Sequence, residues 1–189
     1  MERVSVFVDG ANMYYAQKRL GWFIDYRRVL GHFAWSGDRE LSEAYYFTGT
    51  DSQPRGRESA FFEYLMHAGY TVRTKSIKLV TDDATGETIE KANLDIEIVI
   101  DLFNTISRYD TCVLMSGDGD FERVIEVLRA RGKRAIVVGL PEMTARELRN
   151  AAGASYVDLR QLEGVVARTD RLPEAATDEG PSPGNTAEP

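Results

Sequence analysis

The chain has 189 residues, 43% of them hydrophobic and 28% charged, with 30 acidic against 23 basic side chains and a net charge of −7. That hydrophobic fraction supports a substantial core and excludes disorder throughout, while the acid excess argues against a basic protein that coats nucleic acid. Cys112 is the sole cysteine and His32 and His67 lie far apart in sequence, which excludes an internal disulfide and a cysteine zinc cluster.

Val4 to Val8 reads as a buried strand. Asp9 ends its apolar run after five residues, too few for a signal-peptide core, and nowhere do about 18 apolar residues run together as a membrane span requires. A cytoplasmic protein without a membrane anchor is expected. Glu43 to Phe47 is a second strand candidate, followed by the turn-rich stretch Thr48 to Gly56 and by helical periodicity from Glu58 to His67. Thr71 to Val80 and Thr88 to Lys91 flank the polar segment Thr81 to Glu87, which predicts a hairpin or flap. A helix is predicted over Asp95 to Ser107, then a strand at Thr111 to Met115. Phe121, Val124, Ile125 and Leu128 follow at helical spacing, with Gly132 as the stop. Arg134 to Val138 is a further strand, Thr144 to Ala152 a helix, and Ser155 to Leu159 a short last strand. The strands at 4, 111 and 134 are apolar without clean alternation, as expected of parallel strands covered on both faces. Strands alternating with helices predict an α/β, three-layer αβα sandwich with a mostly parallel central sheet. The sequence divides into a domain at residues 1–165 and an acidic, Pro- and Gly-containing tail at 166–189 that reads as disordered.

Open α/β sheets bind ligands at the carboxyl ends of their strands, and here those ends are acidic. The first strand delivers Asp9, Gly10, Ala11 and Asn12; the strand at 111 delivers Ser116, Gly117, Asp118, Gly119 and Asp120. Phosphate-binding loops leave the following helix N-terminus free for the anion, whereas Asp118 and Asp120 fill it with negative charge. Asp is a favoured helix N-cap, but one cap needs one Asp. Clustered carboxylates repel one another unless a cation or raised pKa values relieve them, and hard oxygen donors without His or Cys favour Mg²⁺ or Mn²⁺ over zinc. A fourth acid, Asp95, shares a helix face with Ile98, Val99 and Leu102 and so points towards the sheet. Asp101, six residues on, lies about 240° round the helix and cannot point directly at the same place.

Three motifs in order, VFVDGAN at residues 6–12, KANLD at 91–95 and LMSGDGDF at 114–121, resemble the NYN domain, a PIN-like nuclease family, in its LabA-like branch. The resemblance spans roughly residues 1–160. It implies a PIN-like, Rossmann-like topology and a divalent-metal-dependent ribonuclease that hydrolyses RNA phosphodiester bonds with metal-activated water, leaving 5′-phosphate and 3′-hydroxyl ends. It further implies Asp9, Asp95, Asp118 and Asp120 as metal ligands and catalytic groups, with Asn12 orienting water or phosphate. Ser116, Asn93 and Asp101 are implied as neighbours of the site, and endonucleolytic action as the mode.

An RNA substrate, single-stranded or structured, requires positive charge near the acids. Arg55, Arg57, Arg73, Lys75, Lys78 and Lys91 are the candidates to track its backbone, with Tyr14, Tyr15 or Tyr70 to stack on bases. Trp22, Phe23 and Trp35 read as core or interface residues, and a homodimer is left open. One alternative keeps the fold without turnover, as an RNA-binding or regulatory protein acting through partners. Phosphoryl transfer to small molecules is the other. A haloacid-dehalogenase-like phosphatase, however, needs Asp-x-Asp after the first strand, and a receiver domain needs a Lys after a late strand, where residues 137–141 offer none.

Overall fold

The structure, a computed structural model, describes residues 1–50, 56–76, 78–81, 88–91 and 93–169. Its elements run β1 (Glu2–Asp9), α1 (Gly10–Leu20), α2 (Tyr26–Ala34), β2 (Arg39–Thr50), α3 (Arg57–Ala68), β3 (Thr71–Ser76), β4 (Lys78–Thr81), β5 (Thr88–Lys91), α4 (Asp95–Asn104), β6 (Thr111–Met115), α5 (Glu122–Ala130), β7 (Arg134–Gly139), α6 (Arg146–Ala152), β8 (Tyr156–Asp158) and α7 (Glu163–Val166). Six strands form a sheet in the order β3-β2-β1-β6-β7-β8, and every neighbouring pair is parallel.

Strand periodicity of two sorts the side chains of each central strand between two cores. Val4, Val6 and Val8 of β1, with Val113 and Met115 of β6, meet Met13, Val29, Leu30 and Leu65 from α1, α2 and α3. Phe7, Cys112 and Leu114 face the other way, onto Ile98, Leu102, Ile125 and Leu148 from α4, α5 and α6. Burial on both faces is why these strands lack polar alternation, and it makes the predicted αβα sandwich.

The predicted hairpin is divided differently. Thr71–Ser76 pairs in parallel with β2 as the sheet edge, while Lys78–Thr81 and Thr88–Lys91 form a separate antiparallel pair in which Thr81 faces Thr88. One arm of the expected flap therefore belongs to the main sheet, because Val72 packs against its core. Two further helices, α1 and α2, occupy a region where the sequence suggested none. Beyond the predicted end of the domain, Val166 is buried, Ala167 bridges Ile24 and the Arg168 amide donates to the Phe23 carbonyl. The rest of the predicted tail, residues 170–189, lies outside the described residues.

The sheet order reverses direction between β1 and β6: the chain builds outward to β2 and β3 on one side and to β7 and β8 on the other. Such a switch point opens a crevice beyond the strand ends. Close packing fixes its floor, for a Cβ added to Gly10 would lie 2.5 Å from the Phe47 carbonyl oxygen and 2.7 Å from the Tyr46 ring. Gly10→Ala is therefore expected to cost about 1–3 kcal/mol by overpacking, read as a lower denaturation midpoint. An unchanged midpoint would contradict the close approach.

Candidate metal centre

Val8 pairs with Met115 across β1 and β6, so Asp9 and Ser116 leave the sheet side by side. Asp9 ends β1 and caps α1, its Oδ1 accepting from the Asn12 amide at 3.1 Å. Its Oδ2 accepts from the Ser116 hydroxyl at 2.8 Å. Ser116 is fully buried, and its oxygen in turn accepts from the Asp118 amide at 3.2 Å. Asp118 caps the following 3-10 turn, Oδ1 accepting from the Asp120 amide at 3.0 Å. The chain must pass close to the 140s loop here, since a Cβ on Gly117 would lie 2.3 Å from the Met143 carbonyl oxygen. Asp95 comes from the opposite side as the first residue of α4, its amide donating to Asn93 Oδ1 at 2.9 Å.

Carboxylate oxygens of Asp95, Asp118 and Asp120 lie within 4.8 Å of one another. Asp9, Asp95 and Asp118 line a cleft of about 280 Å³, with Asn12, Asn93 and Tyr15 on its walls. Burial, the larger cause, pushes the Asp9 carboxyl above its usual range, with the Asp118 charge adding to it and the bonds from Asn12 and Ser116 opposing. Asp95 is raised by burial first, then by Asp118, Asp9 and Asp120. Among the described residues no Lys or Arg forms an ion pair with any of the four. Hard oxygen donors this close, repelling one another without a protein counter-charge, fit a divalent cation.

The neighbouring residues sort themselves by partner. Asp101 stands apart from the three clustered acids: Arg73 Nε donates to it at 2.7 Å. Lys75 Nζ reaches Glu97 at 2.7 Å and the Asn93 carbonyl at 2.9 Å. Arg73 and Lys75 thus tie β3 to the helix that delivers Asp95. Arg57 is exposed at the start of α3, and Arg55 lies outside the described residues. Lys78 and Lys91 face each other in register across β4 and β5. Tyr70, a stacking candidate from sequence, is buried instead and donates its hydroxyl to the Tyr26 carbonyl at 3.0 Å. Trp22 packs partly buried on the core, whereas Phe23 and Trp35 are half exposed. Sequence reasoning passed over Lys18 and Arg19, which lie on the outer side of the unpredicted α1; their signal was a Lys-Arg pair just before Gly21, the mark of a helix end.

A parallel α/β sandwich with a carboxylate cluster at its switch point is the PIN-like architecture. The NYN domain family matches residues 3–160, and the chain belongs to that family. Low amplitude and bright protein LabA of Synechococcus elongatus is 49% identical over 170 residues, covering 89% of this chain and 90% of the relative. A crystal structure of a Vibrio parahaemolyticus protein of unknown function superposes with a TM-score of 0.68 over 84% of this chain and 93% of that one, at 23% identity, a likeness of fold.

The charge argument is checked by titrating Mn²⁺ against thermal unfolding. At about 100-fold excess over Kd a bound ion stabilises by about 2.7 kcal/mol, and Asp118→Asn, which keeps the cap, should lose most of that. In EDTA the variant should be at least as stable as the wild type, because one repulsive charge is gone. Equal Mn²⁺ stabilisation of both proteins would contradict the cluster as the binding site.

Proposed function

We propose that this protein is a Mg²⁺- or Mn²⁺-dependent ribonuclease that hydrolyses RNA phosphodiester bonds endonucleolytically. The observation that carries the reading is the cluster of Asp95 from α4 with Asp118 and Asp120 from the turn after β6, joined in one cleft by Asp9 from β1 and unpaired by any described cation, at the switch point of a nuclease-superfamily fold. A bound divalent ion supplies charge neutralisation at the phosphate and a lowered pKa for a coordinated water. Asp95, Asp118 and Asp120 would hold it. Asp9 has both oxygens engaged by Asn12 and Ser116, yet each carboxylate oxygen keeps a second lone pair, so it can complete the ligand set. The Asn12 side-chain amide lines the cleft and makes no hydrogen bond among the described residues, leaving it to orient water or a phosphate oxygen. Ser116 positions two acids at once, holding the Asp9 carboxylate and the Asp118 amide. Lys75 and Arg73 hold α4, and with it Asp95, against the sheet; Asn93 orders the turn before it. Arg55, Arg57, Lys78 and Lys91 remain the candidates for backbone contact.

Wild type and Asp118→Asn are compared on labelled RNA with Mg²⁺ or Mn²⁺ and with EDTA. The wild type should cleave only with metal, leaving 5′-phosphate and 3′-hydroxyl ends. The variant should fall by at least the roughly 100-fold that losing one electrostatic stabiliser of a transition state costs. Cleavage that persists in EDTA, or is equal in both proteins, overturns the metal-nuclease reading. RNA binding without cleavage would instead assign the same fold a regulatory role.

A further inference from the structure

Tyr14 and Tyr15 stand on the outer face of α1, 50% and 60% exposed, while Met13 and Ala16, which flank them in sequence, are fully buried. The two rings meet edge to face with centroids 5.4 Å apart. Lys18 Nζ lies 4.4 Å from the Tyr14 ring centroid, and Tyr15 itself forms part of the wall of the acidic cleft. The helix carries Lys18 and Arg19 and no acid, within a chain of net charge −7. Cations in a last turn are accounted for by the helix dipole; a pair of exposed aromatic rings at the mouth of a carboxylate cleft is not.

We propose that α1 is the track for a single-stranded polynucleotide: Tyr15 stacks on the base next to the phosphate held at the acids, Tyr14 packs behind it, and Lys18 meets the next backbone phosphate. The proposal rests on the nuclease reading for the identity of the strand. Three features select this ligand. The cleft, at about 280 Å³, is at the lower limit for enclosing a small molecule but suits a chain that enters and leaves. Aromatic faces with adjacent cations are the means by which proteins hold single strands irrespective of sequence. Bases in a duplex are already stacked on one another and are unavailable to Tyr15. Arg73 is engaged by Asp101 and Lys75 by Glu97, whereas Lys18 and Arg19, in the last turn of α1, are exposed and form no ion pair among the described residues.

The test measures fluorescence anisotropy of a short fluorescein-labelled oligouridylate with the full wild-type chain as parent, in Ca²⁺ in place of Mg²⁺ or Mn²⁺ so that the acids hold a hard divalent ion while turnover is suppressed. Tyr15→Ala should weaken binding roughly 5- to 100-fold. Tyr15→Phe, which keeps the ring, should bind as the parent does. An abasic oligomer of the same length should not distinguish Tyr15→Ala from the parent, and neither should a duplex. Lys18→Ala should lower the slope of log affinity against log salt by about 1. Parent-like oligouridylate binding by Tyr15→Ala, an equal loss on the abasic oligomer, or no binding by the parent would overturn the track. So would a shift in sedimentation coefficient on Tyr15→Ala, which would mark the rings as a contact between copies of the chain. Cleavage by otherwise wild-type protein separates the two readings: metal-dependent cleavage unaffected by Tyr15→Ala removes the track and leaves the nuclease, whereas ring-dependent binding without any cleavage leaves the track and removes the nuclease.

Discussion

The Ser116 hydroxyl, fully buried between the ends of β1 and β6, joins the two halves of the sheet at the place where their order reverses. It donates to the Asp9 carboxylate and accepts from the Asp118 amide, so one oxygen sets the spacing of acids that would otherwise drift apart under their own repulsion. A carboxylate buried without a counter-charge is costly. The structure meets part of that cost with hydrogen bonds, two to Asp9 and the cap formed by Asp118. Burial first, and the charge of the neighbouring acids after it, still raise the pKa values of Asp9 and Asp95, and a divalent cation would offset both.

Everything around the cluster serves to hold it still. The cores on the two faces of the sheet lock β1 and β6 in register, and Gly10 and Gly117 allow backbone to approach backbone where any larger residue would clash. Neither glycine has a positive φ; space, not left-handed backbone, is the reason for each. Asp95 depends on a different support. Its helix is tied to the edge strand β3 by Arg73–Asp101 and Lys75–Glu97, pairs that are partly exposed and of modest individual worth but act together on one helix.

The central strands were legible because burial on both faces leaves an apolar signature, and the ends of β6 fall where the apolar run stops at Thr111 and Met115. The acids were legible because strand ends are where ligands collect. What the sequence hid has physical causes. In α1 the first helical residue follows the last strand residue directly, with Asp9 serving both, so no turn residues announce the change, and its apolar face is only Met13, Ala16 and part of Leu20. The partners of Arg73 and Lys75 were hidden too, since a cation in a flap-like segment looks the same whether it meets RNA or a carboxylate of a helix twenty residues on. Tyr70 looked available for stacking until its place beneath α2 was known.

The net acidity that first argued against nucleic acid is unevenly spread. The segment 171–189 carries Glu174, Asp178, Glu179 and Glu188 against Arg171, and the three clustered aspartates with Asp9 in the cleft beside them account for much of the rest, while α1 carries Lys18 and Arg19 and no acid. An acidic pocket flanked by a basic, aromatic helix suits a polyanion that arrives with its metal. Anomalous diffraction from crystals grown with Mn²⁺ tests this account most directly. A manganese peak ligated by Asp95, Asp118 and Asp120, at the mouth of the cleft holding Asp9 and Asn12, is the result predicted; an ordered crystal with no peak there at saturating Mn²⁺ would contradict it.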